Sequence, residues 1–153
     1  MAKMRDAIRM SGAEIDALVA ECKSLQVATL DKTGAPHLTT VWFARDQGLW
    51  LFETYGKSQK VVNMRRDPRV ALLCERGERY EVLRGVSIQG EAEIVDSGER
   101  LLTLMKLIVD RNHPGLNDRE VGQIAEQMAE KRVVVAVRPT RTISWDHRKL
   151  ALG

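Results

Sequence analysis

The chain has 153 residues, of which 44% are hydrophobic and 29% are charged, and its formal net charge is +3. This length suits one domain with one core, and the composition is that of a globular protein rather than a disordered one. The longest apolar runs, Val70–Cys74 and Val133–Val137, are far shorter than the roughly 20 residues of a membrane-spanning helix. Basic residues alternate with acidic ones throughout, so we expect neither a membrane nor a nucleic acid as a partner.

The cysteines and histidines exclude several kinds of site. Cys22 and Cys74 lie far apart in apolar patterns, so we expect buried thiols rather than a disulfide, which favours a cytoplasmic protein. His37, His113 and His147 have no i, i+4 partner and no neighbouring cysteine, so we expect no metal site. The chain also has no nucleophile motif and no paired carboxylates, and the sequence identifies no catalytic residue.

The first half of the chain predicts a helix followed by a meander. Ser11 and Glu14 form a capping-box pattern that begins a helix ending near Lys23. The hydrophobic period then changes from helical to extended, and tight turns divide the next thirty residues into strands. These three predicted strands are Leu25–Leu30, Pro36–Ala44 and Leu49–Thr54.

The second half predicts further strands with helices between them. Ser58 begins a short helix that ends at Asp67, because the residue before Pro68 avoids the helical region. The later elements are strand Arg69–Cys74, an extended segment Tyr80–Val95 bent at Gly85 and Gly90, two helices between Ser97 and Met128, and strands Val133–Val137 and Thr142–Trp145, separated by Pro139. Six or seven strands joined mostly by turns predict a mainly β, α+β fold, a single antiparallel barrel domain over residues 1–153 with peripheral helices.

The strongest candidate binding motif leads from the third strand into the short helix, over Thr54–Lys60. Gly56 allows close approach of the backbone, Ser58 offers a hydroxyl at the helix start, and Lys57 and Lys60 add positive charge. These are the groups that bind a phosphate. An ordinary polar loop with surface lysines explains the same residues about equally well.

Two other features have both a structural and a functional interpretation. Arg65 and Arg66 stabilise the end of the short helix or face an anionic tail. Trp42 and Trp145 pack in the core or line a flat aromatic pocket.

Several segments together resemble the pyridoxamine 5′-phosphate oxidase-like split β-barrel family. They are Val27–Leu30, Gly34–Phe43, Lys57–Val70, Arg84–Ala92 and Trp145–Leu150, and the likeness extends over nearly the whole chain from about Ser11. The chain is most similar to the branch that binds flavin or the deazaflavin coenzyme F-420. The resemblance implies an antiparallel split barrel of six to seven strands, and a homodimer with a cofactor at the subunit interface.

The resemblance also implies roles for individual residues. Thr54, Lys57, Ser58 and Lys60 match the segment that holds the cofactor phosphate and ribityl chain, His37, Thr39, Thr40 and Val41 match the strand beside the ring, and Trp145 matches a position near the ring of the partner subunit. The basic residues that bind substrate in true pyridoxamine phosphate oxidases have no counterpart in the same pattern here, which argues against vitamin B6 oxidation.

The expected function is hydride transfer between F-420 and a small organic substrate, with solvent, Tyr55 or Thr40 as the source of a proton. One alternative is an FMN-dependent oxidase or reductase of the same family. The other is a protein that binds flavin or deazaflavin without turnover.

Overall fold

One antiparallel sheet, closed into a barrel, forms the centre of the computed structural model, which describes residues 2–150. Its strands are β1 (Ser24–Leu30), β2 (Pro36–Asp46), β3 (Leu49–Tyr55), β4 (Arg69–Arg76), β5 (Arg84–Val95) and β6 (Arg132–Asp146). They follow the order β1-β2-β3-β6-β5-β4, and β4 pairs with β1 to close the barrel. The predicted antiparallel barrel is confirmed.

Helices surround this barrel. They are α1 (Ala2–Ile8), α2 (Gly12–Glu21), α3 (Gln59–Arg66), α4 (Gly98–Asn112) and α5 (Asp118–Ala129), and short 3-10 turns cover Tyr80–Val82 and His147–Leu150. The sequence pattern does not predict α1, because its side chains are mostly exposed and form no apolar stripe. Among the described residues, no helix combines the length and the apolar character needed to cross a bilayer.

Side-chain hydrogen bonds stabilise both ends of helix α2. Ser11 Oγ accepts a hydrogen bond from the Glu14 amide at 3.2 Å, and Glu14 Oε1 accepts one from the Ser11 amide at 3.3 Å. This is the predicted capping box. At the other end, Arg111 Nη2 donates to the carbonyl oxygens of Val19 (2.7 Å) and Cys22 (2.8 Å). Arg111 therefore supplies a donor to the Cys22 carbonyl and a second donor to the Val19 carbonyl, which also accepts from the Cys22 amide at 3.1 Å.

The two tight turns of the meander have the backbone that their residues predict. In the first, Asp31 Oδ1 accepts hydrogen bonds from the amides of Thr33 (2.8 Å) and Ala35 (3.0 Å). In the second, Gln47 and Gly48 both have positive φ, at 49° and 81°. Two such residues in a hairpin loop form a turn whose twist matches that of the strands.

The structure corrects two predicted boundaries. The segment Tyr80–Val95 is not extended throughout, because its first residues form a 3-10 turn and β5 begins at Arg84. Pro139 does not separate two strands, because β6 continues through it. Pro139 lies opposite Gly90, where the register between β5 and β6 shifts. Such a bulge accommodates a residue that has no amide hydrogen.

Alternate residues of β6 belong to two apolar clusters, which explains why the run at its start is entirely apolar. Val133, Val135 and Val137 pack inside the barrel, together with Cys22 and Cys74, which are buried free thiols as predicted. The residues between these valines face the second cluster, which fills the space between the barrel, α4 and α5. A strand buried on both faces loses the usual polar alternation.

We predict that Gly85→Ala destabilises the fold. A Cβ atom at Gly85 would lie within 2.5 Å of Trp145 Cε2, so the indole would have to move away from the sheet. The expected loss is about 1–3 kcal/mol in the free energy of unfolding, measured by chemical denaturation.

The matched control is Gly122→Ala, within α5, where the nearest atom to the new Cβ is Lys106 Cε at 3.9 Å. This change is expected to stabilise by about 0.5–1 kcal/mol, because alanine loses less backbone entropy in a helix. Equal stability of Gly85→Ala and the wild type would show that the indole does not occupy this position.

Candidate functional site

The barrel opens between β2 and β3. Their ladder joins Phe43 to Phe52 and continues only to Asp46 and Leu49, whereas residues 36–42 pair with β1 alone. Alternate residues of this half of β2 therefore direct their amide and carbonyl groups away from β1, toward a side where the described chain provides no strand. An unpaired strand edge of this kind can bind the polar rim of a flat ligand.

A hydrogen-bonded group that we call the lysine cradle (Thr54, Ser58 and Lys60) lies where β3 leads into α3. Lys60 Nζ donates to Thr54 Oγ1 at 3.0 Å, and Thr54 Oγ1 donates to Ser58 Oγ at 3.3 Å. Burial lowers the pKa of Lys60, and the nearby carboxylate of Glu53 opposes this shift. The cradle is thus a partly desolvated ammonium group beside two hydroxyl groups.

The start of α3 leaves several hydrogen-bonding groups available. Ser58 occupies the N-cap position, but its side chain makes no capping hydrogen bond. Its carbonyl oxygen accepts from the amides of Val61 (3.1 Å) and Val62 (3.2 Å). Within residues 2–150, the amides of Gln59 and Lys60 have no backbone acceptor. Free amides, a hydroxyl and an ammonium group at one helix start form a site suited to an anion.

A buried hydrogen bond fixes α3 against the barrel. Asn63, which is fully buried, donates through Nδ2 to Thr29 Oγ1 at 3.0 Å and accepts from Gln59 Nε2 at 2.8 Å. Arg66 Nη2 donates to the carbonyl oxygen of Leu30 at 2.6 Å. These contacts set the position of Lys60 relative to β1.

The sequence interpretation does not single out Asn63. A usable signal exists, because Asn63 lies between the apolar residues Val61 and Met64 on the face of α3 that is buried. A polar residue at such a position needs a partner.

The two arginines near the end of α3, which the sequence left open as ligands of an anionic tail, bind other groups of the chain. Arg66 binds the backbone of β1, and the Arg65 guanidinium lies 3.4 Å from the Asp96 carboxylate.

The predicted residues of β2 divide between its two faces. His37 and Thr39 alternate with Thr40, so they lie on the opposite face of the strand from it. His37 Nδ1 and Thr39 Oγ1 are buried and have no hydrogen-bond partner among the described residues. Val41 lies on their face and packs against the barrel core, whereas the side chain of Thr40 is exposed. Buried polar atoms without partners are typical of a site that a ligand completes.

Two predicted site residues do not join the cradle within one chain. Lys57 lies in the turn before α3 with its side chain exposed. Thr54 pairs with Val133 at one end of β6, whereas Trp145 pairs with Gly85 at the other end. Any contact between Trp145 and a ligand in the cradle would therefore have to come from a second subunit.

We call the surface between the lysine cradle and the unpaired edge of β2 the groove. Cavities of about 500, 760 and 710 Å³ lie elsewhere on the described surface, and none of these three is lined by Thr54, Ser58 or Lys60. Nor do three or more His, Cys, Asp or Glu side chains meet within residues 2–150 in an arrangement that could hold a metal ion.

The sequence and the fold agree with a known family. A family model described as pyridoxamine 5′-phosphate oxidase matches residues 11–146. The chain belongs to the pyridoxamine 5′-phosphate oxidase family. The predicted resemblance is thereby confirmed, and no protein of curated function matches the chain significantly.

Solved structures of similar proteins carry several descriptions. A conserved hypothetical protein from Mycobacterium tuberculosis is 45% identical with a TM-score of 0.89, and the match covers 97% of this chain and 92% of that one. An F420 reductase is 24% identical (TM-score 0.64; 83% and 94% covered). A heme storage protein from Vibrio cholerae is 17% identical (TM-score 0.71; 87% and 94% covered). The last two likenesses show the shared fold alone.

We predict that Lys60 titrates below the ordinary lysine pKa of 10.5, since burial disfavours its protonated form. Protonated Lys60 therefore costs stability at neutral pH, and the cost disappears as the pH rises through its folded pKa. The measurement is an NMR titration of isotopically methylated lysines. The NMR signal that disappears in the Lys60→Arg variant is assigned to Lys60. A Lys60 pKa at or above 10.5 would contradict the partial desolvation of its ammonium group.

Proposed function

We propose that this protein is an oxidoreductase that uses the deazaflavin coenzyme F-420 to reduce a small organic substrate in the cytoplasm. The observation that carries the proposal is the position of the partly desolvated Lys60 at the head of α3, beside the unpaired edge of β2. The family membership and the fold shared with an F420 reductase support it. Family membership supports an FMN-dependent oxidase or reductase as the alternative.

The residues of the groove fit a cofactor that joins an anionic chain to a flat ring. Lys60, Ser58 and the free amides at the start of α3 would bind the phosphate group, with Lys57 adding positive charge nearby. The edge of β2 at His37 and Thr39 would bind the polar rim of the ring. The two orphaned polar atoms on that strand gain a partner only if a ligand or water enters.

When bound, F-420 supplies a hydride from its ring. The contribution of the chain is position: α3 holds the phosphate, the β2 edge orients the ring, and the barrel wall excludes water from one face. Tyr55, the residue after Thr54 on β3, carries a phenol that is a candidate source of a proton. The Tyr55 hydroxyl accepts a hydrogen bond from Arg132 Nη2 at 3.0 Å, and the Arg132 guanidinium carbon lies 4.2 Å from the centre of the Tyr55 ring.

An uncharged outer face of the sheet suggests how the site is completed. Direct strand partners place Thr40, Gln26, Leu73, Ser87 and Ile143 in one row across β2, β1, β4, β5 and β6. We call this surface, with the flanking Leu38 and Trp42, the neutral face. Leu38 is 68% exposed and Trp42 is 51% exposed. Large apolar side chains together with uncharged neighbours are typical of a protein interface.

We therefore propose that a second copy of the chain covers the neutral face and contributes its Trp145 to the groove. The separation of Trp145 from the cradle within one chain is consistent with such an arrangement.

Cofactor titration tests the proposed function. Purified protein is expected to bind F-420 more tightly than FMN, as measured by the quenching of cofactor fluorescence. Lys60→Ala is expected to weaken binding by about 1–3 kcal/mol, because a charge-assisted contact is lost. Lys57→Ala should have a smaller effect, since its side chain is exposed. The control is Lys106→Ala, an exposed change on α4.

Three outcomes of this titration contradict parts of the proposal. Tight binding of FMN without binding of F-420 would select the alternative cofactor. Normal binding by Lys60→Ala would place the phosphate elsewhere. If bound, reduced cofactor is not oxidised by any enone, quinone or nitro compound, the protein binds its cofactor without turnover.

A charge on the neutral face tests the proposed dimer. Leu38→Glu is expected to convert a dimer into a monomer, as measured by light scattering during size-exclusion chromatography, because the carboxylate would be buried without a partner. Thr103→Glu adds the same charge to an exposed position on α4 and is expected to leave the dimer intact. A monomeric wild-type protein, or a dimeric Leu38→Glu variant, would contradict the proposed interface.

A further inference from the structure

One of the three cavities described above, of about 710 Å³, lies between α1 and the C-terminal half of β6. Two hydrogen bonds hold the chain around it. The Met10 amide donates to Ser144 Oγ at 3.0 Å, and Lys149 Nζ donates to the carbonyl oxygen of Arg9 at 2.7 Å. Lys149 is itself paired with Glu14 at 2.8 Å. The end of α1 is thus tied both to the strand and to the start of α2, which keeps the cavity open.

The wall of this cavity is mixed, with polar and charged residues beside apolar ones, and its apolar part includes one flat aromatic surface. Ile8 and Ile15 line it from the helices, and Ile143 and Trp145 line it from β6. The Trp145 indole rests against Gly85, where any larger residue would overlap it. A flat indole fixed in this way is suited to stacking with a planar ligand.

The charge at the cavity has one sign. Arg5, Arg9 and Arg141 line it, and none of its lining residues is an aspartate or a glutamate. Arg9 is paired with Asp6 at 3.0 Å. Arg5 and Arg141 form no ion pair with any side chain of residues 2–150. Arg5 and Arg141 therefore line the cavity without a paired counter-charge.

We propose that this cavity binds a planar compound that carries a carboxylate or another single anionic group, and that such a compound is the substrate. The second part rests on the proposed function, because it assumes that Trp145 lies near the cofactor bound to the partner subunit. The volume is within the range of about 300–1,000 Å³ that small-molecule sites occupy. The indole and isoleucines would bind the planar body, while Arg5 and Arg141 would bind the anion.

A pair of fluorescent probes with the same aromatic body separates the two kinds of contact. Anilinonaphthalene sulfonate carries one negative charge, and phenylnaphthylamine carries none. With the full chain, the sulfonate is expected to bind about tenfold more tightly than the neutral probe, since only the sulfonate can pair with the arginines. Equal affinities for the two probes would overturn the proposed anion selectivity.

Variants then locate the binding. Arg141→Gln and Arg5→Gln are each expected to weaken the sulfonate about tenfold and to leave the neutral probe unchanged. The matched control is Arg138→Gln, since Arg138 lies on the same strand outside the cavity and pairs with Glu91 at 2.8 Å. If neither cavity variant weakens the sulfonate, or if Arg138→Gln weakens it as much, the cavity is not the anion site.

Binding of the two probes to the cavity does not require the proposed cofactor site. Lys60→Ala is expected to leave both probes bound as in the wild type, because the cradle and this cavity have no residue in common. If F-420 binds and the sulfonate does not, the cavity proposal alone is wrong. If the sulfonate binds as described and no cofactor does, the anion site stands and its ligand is not the substrate of an F-420 reductase.

Discussion

The hydrogen bond between Asn63 and Thr29 is the contact on which the candidate site depends. Both residues are almost fully buried, and neither has access to water as a substitute partner. The bond therefore holds α3 in one position on β1, with Lys60 one helical turn earlier and next to Thr54. A flexible lysine on a long side chain becomes a positioned charge because the helix beneath it cannot shift.

The second constraint is the short ladder between β2 and β3. If β2 were paired along its whole length on both sides, its amide and carbonyl groups would all be hydrogen-bonded within the sheet. None of them would then be available to a ligand. Because the pairing ends at Phe43 and Phe52, the earlier half of β2 keeps an open edge next to the cradle. The barrel is still closed by the contact of β1 with β4, so this opening does not expose the core. The fold thus separates the strand edge that is available to a ligand from the pairings that close the barrel.

Local chemistry made much of this fold predictable. The capping box at Ser11 and the helix stop before Pro68 each depend on a few neighbouring residues, and each is confirmed. The family could be predicted from motifs that span the chain. The continuity of β6 through Pro139 could not, because the bulge depends on Gly90 in another strand. The same limit applies to Asn63, whose burial depends on Thr29.

The division of the predicted site also has a physical explanation. The resemblance assigns Lys60 to the cofactor phosphate and Trp145 to the ring of the partner subunit, and strand pairing places the cradle and Trp145 at opposite ends of β6. Trp145 therefore lies beside a ring held at the cradle only if another subunit provides it. The fold itself is shared with proteins described as an F420 reductase and as a heme storage protein, so it does not select the ligand. The selection has to come from side chains, and the partly desolvated ammonium group of Lys60 at the head of α3 is one that suits an anionic group.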